Sequence, residues 1–277
     1  PPEVTVAQPR VEKLVEWTEF TGRFEAVERV EVRARVTGYL SSVDFRDGEV
    51  VEKGDVLFVI DPRPFEVAYQ RAAADVASAE AQVRLADIEF QRIADLAESP
   101  AFSRSAYDQR LQEKEGAQAS LAAAQAAMAK ARLDLEYTRI VAPVSGRISD
   151  RRVDIGNLVT GETLLTTIVS LSPIYFVFDM SEADFLGYQR AVLAGELPST
   201  RERSTLVNIK LVDEEDWPRQ GQMNFVDNVV DQGSGTVRAR AEVRNPDGLI
   251  APGQFGTIRI PGSPEYEAIL IPDASRG

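Results

Sequence analysis

The chain has no cysteine and no histidine among its 277 residues. Those absences exclude Ser-His-Asp and Cys-His nucleophile sites, thiolate or imidazole zinc sites, thioredoxin-type redox chemistry and disulfides. Only oxygen-ligand metal sites and carboxylate, Lys or Tyr chemistry remain open. Basic residues are outnumbered, 31 Lys and Arg against 44 Asp and Glu, for a net charge of -13. Such a surface does not suit a sequence-independent nucleic-acid binder, which neutralises phosphates with Lys and Arg. No apolar run reaches the ~18–20 residues of a membrane-spanning helix. The longest runs, near 164–171 and 174–178, read as buried strands. The chain opens Pro1-Pro2-Glu3 without a basic and apolar leader pattern, and closes near a strand-like Ile269-Leu270-Ile271. Both ends are expected to be trimmed.

Glycine and proline are also scarce in one long stretch. Between Gly54 and Gly146 the only glycine is Gly116, and between Pro64 and Pro143 the only proline is Pro100. Ala, Glu, Gln, Arg and Leu fill the gap, the strongest helix formers. Val76, Ala79, Val83, Ala86, Phe90, Ile93 and Ala97 recur at alternating three- and four-residue spacing, and so do Ala117, Leu121, Ala124, Met128, Ala131 and Leu135. That is the seam of a coiled coil. Pro64 suits a first helical turn, and Ser99-Pro100 interrupts the run. The expected element is an antiparallel hairpin, with helices over 63–98 and 104–137 and arms on the order of 50 Å long.

The flanks repeat one another. Val36, Gly38, Leu40, Gly48 and Val51 align with Val144, Gly146, Ile148, Gly156 and Val159, and one deletion then lays Gly54 on Gly161. Each half is a set of short strands with glycine turns, too small to close a core alone. The two halves must therefore pack together, which splits one domain over 29–61 and 138–170 around the helices of 62–137.

From Pro173 the pattern turns to β. Ile174, Phe176 and Phe178 open a strand expected to be buried on both sides. Ser181 begins a short helix that ends near Gly195. Strands follow near 206–212, 222–226, 236–243 and 256–260, with a turn at Asn245-Pro246-Asp247-Gly248. A small β-barrel over 15–28 and 171–262 is the expected result. Residues 1–14 and 263–277 are then pieces of a further β domain. The acidic run Asp213-Glu214-Glu215-Asp216 reads as a solvated loop, because it lacks the spacing of a calcium loop. Trp17 and Trp217 read as core or interface aromatics.

The glycine-strand repeat resembles the flattened lipoyl/biotinyl β-sandwich. A split sandwich of that type with a helical hairpin inserted resembles the periplasmic adaptors, or membrane fusion proteins, of tripartite efflux pumps in the HlyD family. The strings Glu19-Phe20-Thr21-Gly22, Phe58-Val59-Ile60-Asp61-Pro62-Arg63-Pro64, Ala142-Pro143-Val144-Ser145-Gly146, Leu171-Ser172-Pro173-Ile174-Tyr175 and Ala251-Pro252-Gly253-Gln254-Phe255 look like the RND-pump, AcrA/MexA-like branch. The resemblance spans nearly the whole chain. It implies a mainly β fold with a long α-helical hairpin: a split lipoyl-type sandwich, an inserted antiparallel coiled coil, a small barrel and a partial membrane-proximal domain.

The same resemblance implies a non-enzymatic role with no cofactor and no metal. The implied partners are an inner-membrane RND transporter, a TolC-like outer-membrane channel and further copies of the chain in a ring, hexameric in the assembled pump. The implied place is the periplasm beside the inner membrane. At the hairpin end, Arg92, Leu96 and Ser103 match the family's Arg, Leu and Ser that meet the channel's helical tip. Without the resemblance, Arg92 and Leu96 are an ordinary i, i+4 pair, and Ser103 is a helix N-cap. Gly38, Gly48, Gly54, Gly146, Gly156 and Gly161 are the structural glycines of the lipoyl-type repeat.

Other readings compete. An adaptor for an ABC or type I secretion exporter is disfavoured by the moderate hairpin length and by the RND-like strings. A heavy-metal pump adaptor is disfavoured by three Met and no Cys or His. A lipoyl or biotinyl carrier would need its modified Lys in the turn that the helices replace, and Lys53 lies in a different turn. A carbohydrate enzyme with paired carboxylates has many acids available and no preferred pair.

Overall fold

A computed structural model describes residues 10–96, 103–196 and 205–270. Along the chain the elements are β1 (Arg10–Leu14), β2 (Trp17–Ala26), β3 (Arg29–Arg33), β4 (Gly38–Val43), β5 (Val50–Val51), β6 (Val56–Ile60), α1 (Arg63–Ala94), α2 (Arg104–Glu136), β7 (Arg139–Val141), β8 (Gly146–Ile148), β9 (Leu158–Val159) and β10 (Leu164–Val169). They continue with β11 (Ile174–Ser181), α3 (Glu182–Leu193), β12 (Thr205–Leu211), β13 (Arg219–Val226), β14 (Thr236–Val243), β15 (Phe255–Pro261) and β16 (Tyr266–Leu270). The chain divides into two compact units, residues 30–168 and residues 1–29 with 169–277. No helix among the described residues is long and apolar enough to cross a membrane.

In the unit of residues 30–168, two four-stranded sheets run β3-β10-β8-β5 and β7-β6-β4-β9. Each mixes strands from before and after the helices: Gly38 pairs with Val159, Val50 with Arg147 and Val56 with Val141. Leu40, Leu57, Phe58, Ile60, Ile148, Val159, Leu165 and Ile168 are buried in one shared core. The repeat is also visible in the backbone. Gly48 N–H donates to Ile148 C=O at 3.1 Å, and Gly156 N–H donates to Leu40 C=O at 2.8 Å. Those are equivalent bonds made by equivalent residues of the two halves. Gly48 and Gly156 make them with φ of 80° and 89°, the left-handed region where a Cβ would be strained. The deletion leaves a mark, because Gly54 has φ of 101° while its counterpart Gly161 does not lie in that region and packs toward the Arg35 carbonyl.

The helices enter from β6 through Asp61-Pro62. The Asp61 carboxylate accepts from the Arg63 backbone N–H and is clasped by the Arg63 guanidinium at 2.7 Å. That guanidinium bond lowers the Asp61 pKa below its ordinary value. Pro64 sits in the first turn, as its missing N–H allows. Phe65 and Tyr137 pack on the sandwich core, so both helix roots are anchored together. Along their length the helices pack chiefly on each other. Val76 and Ala79 are the buried residues of α1, and α2 has none. The seam is thus shallower than its apolar spacing implies, with most of its residues only half-buried. At 32 and 33 residues the helices greatly exceed the ~12–15 at which isolated helices become viable. Propensity therefore supports what a thin seam cannot. α1 stops at Ala94, short of the expected 98, and the expected break at Ser99-Pro100 with the seam residue Ala97 lies outside the described residues.

In the other unit, β11-β14-β13-β12-β15-β2 close into a six-stranded barrel. Phe24, Phe176, Phe178, Met180, Ile209, Met223 and Ile258 fill it. Gly22 is required for close approach, since a Cβ there would stand 2.3 Å from the Val177 carbonyl oxygen. β11 meets the expectation of burial on both faces only in part, Val177 being the buried residue of its outer row. Its inner row is covered, whereas Asp179 is exposed and Tyr175 lies under the Arg240 guanidinium at 4.1 Å. Ser181 caps α3, its hydroxyl accepting from the Asp184 N–H at 3.1 Å. Asn245 is buried and grips the Leu171 and Ile250 carbonyls at 2.9 and 2.8 Å, which ties the expected turn into the barrel. β1 pairs with β16 as a separate two-stranded ribbon.

Two expectations need correction here. Of the core and interface readings of Trp17 and Trp217, the core one fails: neither enters the barrel core, and the Arg259 guanidinium lies 4.7 and 4.6 Å from their ring centroids. Glu214 is not a solvated loop acid. It accepts from the Leu211 N–H at 2.9 Å and pairs closely with Arg219, whose hydrogen bond lowers the Glu214 pKa.

Candidate functional site

The distal end of the hairpin differs in chemistry from its root. Phe90 and Tyr107 meet across the seam with ring centroids 5.2 Å apart. One turn below, Arg110 donates to Glu89 on α1 at 2.7 Å and to Glu113 on its own helix at 2.6 Å. Lys114 reaches Asp87 at 3.0 Å and lies 5.0 Å from the Phe90 ring centroid, a contact worth about 0.5–1 kcal/mol. These cross-helix contacts match falling numbers on one helix with rising numbers on the other, so the helices are antiparallel. Bonds from Arg110 and then Gln109 hold the Glu113 pKa below its ordinary value.

The seam of α2 therefore extends back from Ala117 through Lys114, Arg110 and Tyr107 at the same three- and four-residue steps. A search confined to apolar residues misses them, because two are charged. Continuing the spacing without regard to polarity would have found all three. Charged groups in a seam favour one register, since a slip would strand them against alanine.

On this platform stand the residues singled out from sequence. Arg92 lies on the exposed side of α1, and Leu96, two residues past its end, keeps 52% of its surface open. Leu96 closes the helix, donating its N–H to the Ile93 carbonyl at 3.1 Å, while the Asp95 side chain is held by Gln91 at 2.9 Å. Ser103 is the N-cap of α2, accepting from the Ala106 N–H at 3.4 Å. The N-cap role of Ser103 is thus present, whereas Leu96, lying past the end of α1, does not form a helical i, i+4 pair with Arg92. Residues 97–102, between these helix ends, are outside the described set. Among the described residues no group of His, Cys, Asp and Glu is arranged to hold a metal ion.

The six repeat glycines lie elsewhere, in the sandwich. Gly38 and Gly146 open β4 and β8, and Gly48, Gly54, Gly156 and Gly161 lie in the connections between strands. A Cβ on Gly38 would stand 2.5 Å from Ile60. Lys53 lies in the same connection as Gly54, its backbone N–H bound to the Ser145 hydroxyl at 2.9 Å.

A two-sheet sandwich assembled from both flanks of a helical hairpin, in a chain that also forms a six-stranded barrel, defines the membrane fusion protein class. Two family descriptions match the chain: "RND MFP, barrel-sandwich hybrid domain" over residues 28–171 and "RND MFPs, beta-barrel domain" over residues 173–262. The chain belongs to the RND membrane fusion proteins. It is 35% identical to the multidrug export protein AcrE of Escherichia coli K12, over 98% of this chain and 71% of that protein. It is 34% identical to the multidrug efflux pump subunit AcrA of the same strain, over 98% and 68% of the two chains. It is 32% identical to the multidrug resistance protein MexA of Pseudomonas aeruginosa, again over 98% and 68%. In fold it is similar to a MacA–MexA chimera carrying the MexA α-hairpin domain, with a TM-score of 0.68 at 23% identity over 95% and 87% of the chains.

Proposed function

We propose that this chain is the periplasmic adaptor of an RND efflux pump, linking an inner-membrane transporter to a TolC-like outer-membrane channel as a ring of identical copies. Leu96, Arg92 and Ser103 make the channel contact. Leu96 supplies an exposed apolar anchor, Arg92 addresses helix C-terminal carbonyls, and Ser103 permits close approach. The sandwich is of the lipoyl type without a carrier lysine, and it serves as a mount for the coiled coil. The β1–β16 ribbon belongs to a membrane-proximal domain shared by residues 1–14 and 263–277.

The observation that carries this reading is the exposed Leu96 at the end of a helix whose neighbouring seam is pinned by Arg110, Lys114 and the Phe90–Tyr107 pair. Family membership supports it from outside the site. The test is efflux in cells that depend on this protein. Leu96→Glu, or Ser103→Arg, should return drug sensitivity to that of a strain lacking the gene, with expression and helix content unchanged. Wild-type resistance in both variants would remove the assignment.

A further inference from the structure

Beside α3 the barrel has a cleft of about 180 Å3 whose residues the proposed function does not use. Phe20 of β2 and Ile260 and Pro261 of β15 line one wall, and Asp184, Gly187 and Tyr188 of α3 line the other. Phe20 packs on Phe178 in the barrel core with ring centroids 5.4 Å apart, yet it is only half-buried and so also serves the cleft. An apolar cavity of ~150 Å3 is enough to admit benzene. The space therefore suits a single aromatic ring.

Gly187 keeps the cleft open. It lies inside the twelve-residue α3, a position where only proline is less favourable than glycine. Its φ is not positive, and a Cβ added there would meet no atom within 4 Å. Neither a turn nor a close backbone approach requires glycine here. What its missing side chain provides is room, next to Asp184 and Tyr188 on the same side of the helix.

Asp184 gives the cleft its charge. Its carboxylate accepts from the Ser181 hydroxyl at 2.6 Å, and its backbone N–H donates to that hydroxyl at 3.1 Å. Among the described residues these cap bonds are its partners, and no Lys or Arg neutralises it. A cation is the complement of such a carboxylate, and the faces of Phe20 and Tyr188 favour the same sign of charge.

We infer that this cleft binds a small monocyclic aromatic amine, with its ring against Phe20, Tyr188 and Ile260 and its ammonium group at Asp184. The site shares no residue with the channel contact, so the inference stands or falls independently of the adaptor reading. A ligand that touches both α3 and the barrel strands stabilises the folded chain by mass action.

The test uses the full chain with benzylamine, and with benzyl alcohol as its uncharged counterpart, followed by saturation-transfer NMR and by thermal melting. Benzylamine should receive saturation and raise the melting temperature, and its ring protons should show NOEs to Phe20 and Tyr188. Asp184→Asn, which still accepts from Ser181, should weaken benzylamine about fivefold and leave benzyl alcohol unchanged. Gly187→Leu fills the cleft with a good helix former, so it should abolish binding while the free protein melts no earlier than wild type. Absence of saturation, NOEs to residues elsewhere, or undiminished binding in Gly187→Leu would overturn the inference. Equal affinity of wild-type protein for the amine and the alcohol would overturn it as well.

Discussion

The middle of the hairpin and its distal end use one helical repeat for different purposes. Midway along α1, Val76 and Ala79 are buried in the seam, and Phe65 and Tyr137 bind the helix roots to the sandwich. Toward the distal end, aromatic and charged groups replace them, with Phe90 on Tyr107, Arg110 on Glu89 and Lys114 on Asp87. An apolar alanine seam brings backbones close but tolerates sliding, because each alanine resembles the next. A seam with large rings and opposed charges has one favourable register. The middle therefore supplies proximity and the distal end supplies position, which is where a docking residue such as Leu96 needs it.

The largest expected effect falls beyond the seam altogether. Leu96→Glu should remove efflux with at most a small shift in thermal unfolding, since Leu96 is 52% exposed and lies past the end of α1. Measuring both properties on the same variant separates docking from folding. Next comes the middle of the seam: Ala79→Leu should overpack it and cost about 1–3 kcal/mol, read as earlier loss of helical signal on heating. Phe90→Ala at the distal end should cost about 2 kcal/mol, below the 3–5 of a fully buried ring because Phe90 is half-buried. It should also loosen register, seen as a broadened distance distribution between spin labels near the two helix ends, which Ala79→Leu should not do. An equal broadening in both variants would dissolve the distinction between the two regions.

The smallest effect is electrostatic. The Glu113 pKa is lowered by its bonds to Arg110 and Gln109, so its contribution is present above the ordinary glutamate value of 4.5 and is lost as pH falls through the lowered one. Acid should therefore loosen the distal end before the root. Arg110→Gln should abolish that difference, with only a slight drop in melting temperature at neutral pH, as expected of a half-exposed pair.

Much of this architecture is written in local pattern. The seam of α1 can be read from Val76 to Ile93, and most barrel strands can be placed by alternation and turn residues. The Asn245-Pro246-Asp247-Gly248 turn is plain in sequence, although the burial of Asn245 is not, because its partners Leu171 and Ile250 depend on the closed barrel. Sequence is least informative where a side chain's partner is on a distant strand. Arg259 between Trp17 and Trp217 joins residues far apart in the chain, and nothing in the neighbourhood of any one of them reveals the stack. Glu214 misleads for a related reason: an acidic run looks solvated until Arg219 folds back on it. At the candidate site, physics alone finds a helix pair and an N-cap, and the docking role of Arg92, Leu96 and Ser103 comes from resemblance. Lys114 and Arg110 were missed because polarity hid their periodicity.

The most direct measurement is a photo-crosslinking residue placed at Leu96 in cells that also contain the pump and channel. A covalent adduct with the outer-membrane channel, absent when the same residue replaces Val67 near the hairpin root, is what a docking distal end predicts. Capture of the channel from Val67 and not from Leu96 would contradict it.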